Sequence, residues 1–318
     1  MFFFPYRPDI GLYKIPLFSI LVVAVCLAVY TAQYQNERDI YRSAIAFCEA
    51  PYEAGFQRAL VQLSGRADVD VCLATLLEIH LVHDKDALID VMAYSIGATP
   101  GVVNGGLRDY YAAALRDTYG EFKAQVPEYF TAQLWYAPES WDVGRMFTAT
   151  VSHGSWLHLI ANLIFFFAFA ASVEIIVGPL LYLFILSVLA LGTHTVYSLV
   201  LLGQPDAFPT LGLSGVVMGT LALFSFFAPA ANIRCFVWLV VFFRTISIPA
   251  WILAAWFIGW DVYAQVSGVG NAGINLIAHL SGAAIGLAIG IVFFRAKKHW
   301  AKRLMRSEHA ARISRAWR

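Results

Sequence analysis

The chain has 318 residues, of which 59% are hydrophobic and only 14% are charged, and its mean hydropathy is +0.65. A soluble domain contains about 25% charged residues, so this chain has too few polar groups to cover a surface in contact with water. The composition excludes a disordered, a collagenous and an ordinary cytosolic protein, and it indicates a polytopic membrane protein.

The net charge of +1 hides a segregation of charge along the chain. Sixteen of the 21 acidic residues lie between Glu37 and Asp142. The last stretch, residues 295–318, contains nine lysines and arginines but a single acid, Glu308. We interpret this basic tail as a segment that flanks a membrane, and we expect no nucleic-acid partner.

Six apolar runs are close to the length of about 20 residues that a helix needs to cross a bilayer. They are Ile15–Thr31, Leu157–Ile176, Pro179–Leu202, Leu213–Ala230, Ile246–Tyr263 and Ala272–Phe294. Between the fourth and fifth runs, Ile233–Arg244 is predicted as an interfacial segment, because a charge such as Arg244 at the centre of a span costs about 2.5–3.5 kcal/mol.

The positions of basic residues predict the orientation in the membrane. Arg7, Lys14, Arg234, Arg244 and the basic tail all fall on one side if the chain crosses six times. Positive charge marks the cytoplasmic side. We therefore expect an integral protein of a bacterial inner (plasma) membrane, with both termini cytoplasmic and the acidic segment 35–150 external.

The same patterns divide the chain into four parts. Residues 1–34 form the cytoplasmic N-terminus and first transmembrane helix, 35–125 an acidic external helical insert, 126–294 the membrane core and 295–318 the basic cytoplasmic tail. Apolar residues recur at helical spacing in four segments of the insert: Glu53–Leu63, Val69–Ile79, Asp86–Tyr94 and Leu107–Lys123. The predicted fold class is all-α, a six-helix transmembrane bundle with a helical extramembrane insert between helices 1 and 2.

Four cysteines fall in two settings. Cys48 and Cys72 lie in the predicted external insert, where the environment is oxidising, so they are either a disulfide or two buried thiols. Cys26 and Cys235 lie in apolar runs and are expected to be packing residues.

Polar residues that can do chemistry gather in three of the predicted spans. The second begins with His153-x4-His158-x3-Asn162, the fourth with Gly212-x-Ser214-Gly215, and the sixth contains Ala278-His279-x2-Gly282-x3-Gly286. All three spans run inward from the predicted external face, which places these groups at a common depth in the outer half of the bilayer. The glycines alone indicate close helix packing, but histidines inside apolar helices usually mark a functional site.

At these residues the chain resembles the rhomboid intramembrane serine proteases. The resemblance covers about 140–295 plus the first span, and it implies a rhomboid-like bundle in which Ser214 is the nucleophile and His279 the general base. By the same resemblance, His158, Asn162 and the backbone N–H of Ser214 stabilise the oxyanion, and His153 is structural. The remaining family motif positions are Gly212, Gly215, Gly282, Gly286, Arg145 and Glu174.

Two positions depart from the family pattern. Met218 stands one turn after the serine, where relatives often carry an aromatic residue that packs on the catalytic histidine. Gly144-Arg145 replaces the usual Trp-Arg pair of the first loop.

A serine hydroxyl is a weak nucleophile until a base takes its proton. Because we expect no Asp or Glu near the motifs to orient His279, we predict a Ser–His dyad, and not a triad, whose histidine ring is oriented by packing. The predicted function is a serine endopeptidase that hydrolyses peptide bonds in or near transmembrane helices of membrane-protein substrates, with the lipid bilayer as its medium and with no cofactor and no metal.

Three alternatives compete with that function. The first is a catalytically inactive rhomboid-like module for membrane-protein binding or quality control. The second is a metal site of His153, His158 and His279, which has no accompanying His-Glu-x-x-His motif. The third is a transporter, which would require paired half-repeats that the sequence does not show.

Overall fold

The structure is a computed structural model that describes residues 2–8, 14–82, 84–99, 102–103, 105–204, 207–239, 242–269 and 273–295. The chain divides into two compact units. One comprises Met1–Tyr30 and Leu134–Arg318 and is called the membrane unit; the other comprises Thr31–Gln133 and is called the acidic unit. The basic tail beyond Arg295 lies outside the described residues, so its predicted position is not tested.

The acidic unit is helical, as predicted. The first helix of the chain, α1, runs over Leu17–Glu49 and therefore continues well past the apolar run Ile15–Thr31. Four helices follow it: α2 at Ala54–Ser64, α3 at Val69–Leu81, α4 at Lys85–Gly97 and α5 at Gly105–Gln125. Each overlaps one of the four predicted segments, which confirms the reading of helical periodicity there. Two short strands, β2 (Ala98–Thr99) and β3 (Val102–Val103), pair between α4 and α5.

Helix caps and an apolar core hold the acidic unit together. The Asp68 side chain accepts a hydrogen bond from the Val71 N–H at 3.0 Å and so starts α3. Large apolar side chains from α2, α3 and α5 fill the core, among them Phe56, Leu76 and Phe122. The two cysteines that the sequence left open form the disulfide Cys48–Cys72, with the Cα atoms 5.8 Å apart.

The membrane unit contains the remaining long helices. After the short α6 (Phe130–Leu134) at the boundary between the units come α7 at Val143–Val151, α8 at Trp156–Val177, α9 at Pro179–Val200, α10 at Ser214–Phe227, α11 at Ala250–Ser267 and α12 at Leu276–Phe293. Among the described residues, four helices are long and apolar enough to cross a membrane: α1, α8, α9 and α12. The α10 helix is apolar but shorter, and α11 is diluted by Asp261 and several tryptophans.

The all-α prediction is wrong for one part of the membrane unit. Strands β1 (Phe2–Pro8), β4 (Asn232–Leu239) and β5 (Phe242–Pro249) form a three-stranded antiparallel sheet in the order β1-β4-β5. The described residues of the predicted interfacial segment, 233–239 and 242–244, therefore belong to paired antiparallel strands, and the helix of the predicted fifth span begins only at Ala250. A short apolar run rich in β-branched and aromatic residues cannot be assigned by periodicity alone.

A buried carboxylate ties the first helix to α8. Glu174 is only 2% exposed, and its oxygens accept hydrogen bonds from the backbone N–H groups of Phe18 and Ser19 at 3.0 and 2.8 Å. The Ser19 hydroxyl donates a third bond at 2.7 Å. The first N–H groups of a helix have no partner within the helix, so Glu174 caps the start of α1 from a distant helix. Cys26 and Cys235 are fully buried free thiols, as expected of packing residues.

Candidate active site

The site begins where α8 starts. Ser155 is the N-cap of α8, and its hydroxyl accepts a hydrogen bond from the His158 N–H at 3.1 Å. His158 Nδ1 lies 3.5 Å from the Gly154 N–H, which would leave Nε2 as the nitrogen that carries the ring hydrogen. The ring of His153, a fully buried residue in the loop before α8, packs edge-on against His158 with centroids 5.1 Å apart. The loop and the first turn of α8 therefore fix both histidine rings.

Gly212 brings His158 close to Ser214. Its backbone φ is +122°, a conformation that favours glycine. A Cβ atom added at Gly212 would lie 2.8 Å from His158 Cε1, 2.9 Å from His158 Nε2 and 4.0 Å from Ser214 Oγ. The imidazole N–H and the serine hydroxyl thus converge on the space above one glycine, and no side chain larger than hydrogen fits there.

Ser214 is the first residue of α10 and is half-buried. Its backbone N–H is among the four at a helix N-terminus that have no partner within the helix, and the helix dipole adds positive potential there. A negatively charged oxygen beside Ser214 would therefore be stabilised by groups that the helix itself supplies.

Small residues bring α10 and α12 into backbone contact. A Cβ atom at Gly282 would collide with the carbonyl of Gly215, and one at Gly286 with the carbonyl of Gly219. A Cβ atom at Gly215 would lie 3.0 Å from the Ala278 carbonyl oxygen. Because Ser214 precedes Gly215 and His279 follows Ala278, the contact between Gly215 and Ala278 places the first turn of α10 beside the turn of α12 that carries His279.

His279 is oriented by a carboxylate that the sequence reasoning missed. Its Nδ1 lies 2.9 Å from Oδ2 of Asp261, a buried residue of α11. The expectation that no Asp or Glu stands near the motifs to orient His279 is therefore wrong, because helix packing brings together residues 18 positions apart. The signal was present in the sequence, since Asp261 is an ionisable residue in an apolar span, which usually marks a functional position.

The geometry around the serine is incomplete in one respect. Across the described residues, no hydrogen bond joins the Ser214 hydroxyl to His279, whose Nδ1 bonds to Asp261.

The structure gives Asn162, Arg145 and Met218, which the sequence singled out, three different environments. Asn162 is 7% exposed and donates a side-chain hydrogen bond to the His158 carbonyl at 3.0 Å, which leaves a second amide hydrogen on its nitrogen. Arg145 is half-buried in the first turn of α7, where its N–H bonds to the Asp142 carboxylate. Met218 is buried in the main core cluster one turn after Ser214.

A second missed residue anchors the helix that carries His279. Asn275 is the N-cap of α12: its side-chain oxygen accepts from the Ala278 N–H at 2.9 Å, and its amide donates to the Thr210 hydroxyl at 2.8 Å. Thr210 in turn exchanges backbone hydrogen bonds with Tyr136. The Asn275 side chain thus couples the start of α12 to the loop that leads into Ser214.

The histidines of the metal alternative do not form a ligand set. Over the part of the chain that the structure describes, no group of three His, Cys, Asp or Glu side chains is arranged to hold a metal ion. His153 and His158 pack ring against ring, and His279 is directed to Asp261.

Comparison with known protein families is consistent with this arrangement. The family model of the Rhomboid domain matches residues 140–296, which include α8, α10, α11 and α12. No curated protein matches the chain.

Proposed function

Because this chain belongs to the rhomboid family, we propose that it is an intramembrane serine endopeptidase that hydrolyses peptide bonds in or near transmembrane helices of membrane proteins. The observation that supports the proposal is the packing at the starts of three helices: the His158 ring and Ser214 Oγ lie beside Gly212, and Gly215, next to Ser214, lies against Ala278, next to His279. Nucleophile, oxyanion donor and base are the three parts that acyl transfer requires.

In this proposal Ser214 attacks and His279 carries the proton. Nε2 of His279 takes the Ser214 hydroxyl proton as Oγ bonds to the scissile carbonyl carbon, and the carbonyl π electrons move onto oxygen. When the carbonyl re-forms, the C–N bond breaks and His279 gives the proton to the departing amine. Water then repeats the sequence on the acyl-enzyme, releasing the acid and regenerating Ser214.

The oxyanion would be held by three donors. They are the backbone N–H of Ser214 at the start of α10, the Nε2–H of His158 and the second amide hydrogen of Asn162. The space next to Gly212 lies beside the His158 ring and Ser214 Oγ and carries no side chain. Such preorganised donors act most strongly where water is scarce, because the local dielectric constant is low.

The length of α10 supports a site below the membrane surface. Its 14 residues span about 21 Å, which is shorter than the hydrocarbon core of about 30 Å. The helix that starts at Ser214 therefore begins inside the bilayer if its other end reaches the far surface. A six-span topology with cytoplasmic termini, which counts α10 and α11 as spans, would place the site nearer the external face.

The test is labelling by a fluorophosphonate, which reacts covalently with an activated serine. The purified protein should be labelled and should cleave a single-span reporter in vesicles. The Ser214→Ala variant should show neither labelling nor cleavage. His279→Ala should lose at least about 10⁴-fold in turnover, and the double variant should be no worse than Ser214→Ala, because the two groups act as one unit. A folded wild-type chain that is neither labelled nor active would favour the inactive binding module. Activity that survives Ser214→Ala would exclude the serine mechanism.

A further inference from the structure

The carboxylate of Asp261 lies against the histidine that we propose as general base. Asp261 Oδ2 and His279 Nδ1 are 2.9 Å apart, and the two side chains are only 13% and 17% exposed. Among the described residues, His279 is the only ion-pair or hydrogen-bond partner of the Asp261 side chain. Burying a carboxylate in an apolar helix is unfavourable. Because the Asp261 carboxylate bonds to His279, we expect its role to lie in that contact.

The side chains of α11 separate onto two faces, and this places Asp261 inward. Leu253, Ala254, Asp261 and Ala264 are buried. Trp256, Trp260 and Tyr263 are 66%, 55% and 56% exposed on the other side. The spacing of the buried set follows the helical repeat, so the packing of α11 itself directs Asp261 towards α12.

The geometry points to Asp261 as a positioning residue that holds His279 as the base of a Ser214–His279–Asp261 triad, a conclusion that rests on the proposed function. An ionised carboxylate only accepts hydrogen bonds, so the proton must be on Nδ1 of His279. The Nε2 lone pair is then free for the Ser214 proton. Packing against apolar neighbours fixes a ring position but does not select between the two tautomers.

The carboxylate also matters after the proton has moved. When His279 takes the Ser214 proton it becomes an imidazolium, and the adjacent charge of Asp261 stabilises it while the Nδ1 proton stays on nitrogen. No proton passes to Asp261 in any step. The third member of the triad comes from α11, whereas Ser214 and His279 belong to the α10 and α12 pair held by the Gly215 and Gly282 contacts.

Substitution of Asp261 in the full-length protein tests this role. Asp261→Asn keeps the shape but lets the amide donate to Nδ1 and so favours the wrong tautomer. We expect kcat to fall about 10²–10⁴-fold with KM changed less than about threefold, by analogy with triad carboxylates elsewhere. Asp261→Glu keeps a carboxylate that can accept the Nδ1 hydrogen bond, so its kcat should be at least about tenfold higher than that of Asp261→Asn. Glu121→Gln, an equal charge change at an exposed residue of the acidic unit, should have wild-type kinetics.

A spectroscopic readout keeps the test independent of activity. With ¹⁵N-labelled histidine, the wild type should show a strongly downfield Nδ1 proton from His279 that disappears in both Asp261→Asn and His279→Ala. Wild-type turnover in Asp261→Asn, an effect on KM alone, or absence of this proton from the wild type would overturn the triad. If the proton is present but the wild-type chain has no hydrolase activity, the proposed function fails, and so does the role of Asp261 in catalysis, while the hydrogen bond stands.

Discussion

Both units of this chain bury an apolar core, but they differ in what they expose and in the charged groups they enclose. The acidic unit encloses large apolar residues such as Phe56 and Phe122 and leaves its ion pairs exposed, as between Arg116 and Asp90. The membrane unit exposes large apolar residues such as Phe184, and it buries Glu174 and Asp261 with specific partners. Water forms hydrogen bonds with charged side chains and lipid does not. The acidic unit can therefore expose its ion pairs, whereas the membrane unit exposes apolar side chains and pairs its buried charges.

The difference teaches where single interactions matter. Exposed ion pairs are worth about 0–1 kcal/mol, so the stability of the acidic unit rests on its core and on the disulfide. In the membrane unit, apolar burial from lipid gives little driving force, and close packing and buried hydrogen bonds take its place. Substituting a buried polar side chain in the membrane unit should therefore affect function or helix packing. Removing the disulfide from the acidic unit should lower the stability of that unit.

The largest of the effects expected from this contrast is at Asn162. If the second amide hydrogen binds the oxyanion, Asn162→Ala should lower kcat about 10²–10³-fold with little change in KM. Turnover per folded molecule, with fluorophosphonate titration of active sites, measures this effect. A structural Asn162 would instead give a lower thermal midpoint with unchanged turnover per active site.

Removing the disulfide should weaken the acidic unit without changing the chemistry. The bridge Cys48–Cys72 closes a loop with a sequence separation of 24, which corresponds to about 3.5 kcal/mol of stabilisation in the chain-entropy estimate. The Cys48→Ser/Cys72→Ser variant should show faster protease cleavage within 31–133, while labelling of Ser214 persists. If the variant instead lost labelling of Ser214 while its resistance to protease stayed at the wild-type level, the disulfide would not act on stability alone.

Gly282→Ala should be the strongest test of packing in the membrane unit. The added methyl group would meet the Gly215 backbone, which cannot rotate away as a side chain can, and the cost should be about 2–3 kcal/mol. Thermal unfolding in detergent measures it. The matched control is Gly259→Ala in α11, where nothing lies within 4 Å and where alanine should instead stabilise by about 0.5–1 kcal/mol. Equal effects of the two variants would show that the α10–α12 contact is not as close as described.

The smallest expected effect is a pH dependence in the acidic unit. Burial lowers the pKa of His80 below its usual 6.5, and the ring bonds to the Pro127 carbonyl at 2.9 Å and to the Tyr119 hydroxyl at 3.2 Å. Below the usual value the unfolded chain binds more protons than the folded one, so stability is complete above that value and decreases as the pH falls towards the lowered pKa.

Hydrogen exchange of the α3 amides, corrected for the intrinsic rate, should therefore report faster opening at pH 5.5 than at pH 7.5. His80→Gln, which cannot titrate, should reduce the difference. An unchanged difference in that variant would assign the pH dependence to other groups.

Helix positions were readable from the sequence in both units, because the signal is local. The apolar run Pro179–Leu202 became α9 at Pro179–Val200, with Pro179 at the first helical position. The segment Val69–Ile79 became α3 with the cap that Asp68 supplies. The sheet was not readable, because pairing with β1 decides the conformation of β4, and β1 lies more than 200 residues earlier in the chain.

The sequence by itself determined a membrane protein with an acidic helical segment and supplied the residues of the candidate site, because composition, helical periodicity and motif spacing are properties of neighbouring residues. Only the tertiary structure decided that Cys48 bonds to Cys72, that Glu174 caps α1 and that Asp261 orients His279. Each of these depends on helices packing side by side, and that packing is set by side-chain shape summed over whole helix faces. The spacing of residues along the chain therefore does not reveal which helix faces pack together.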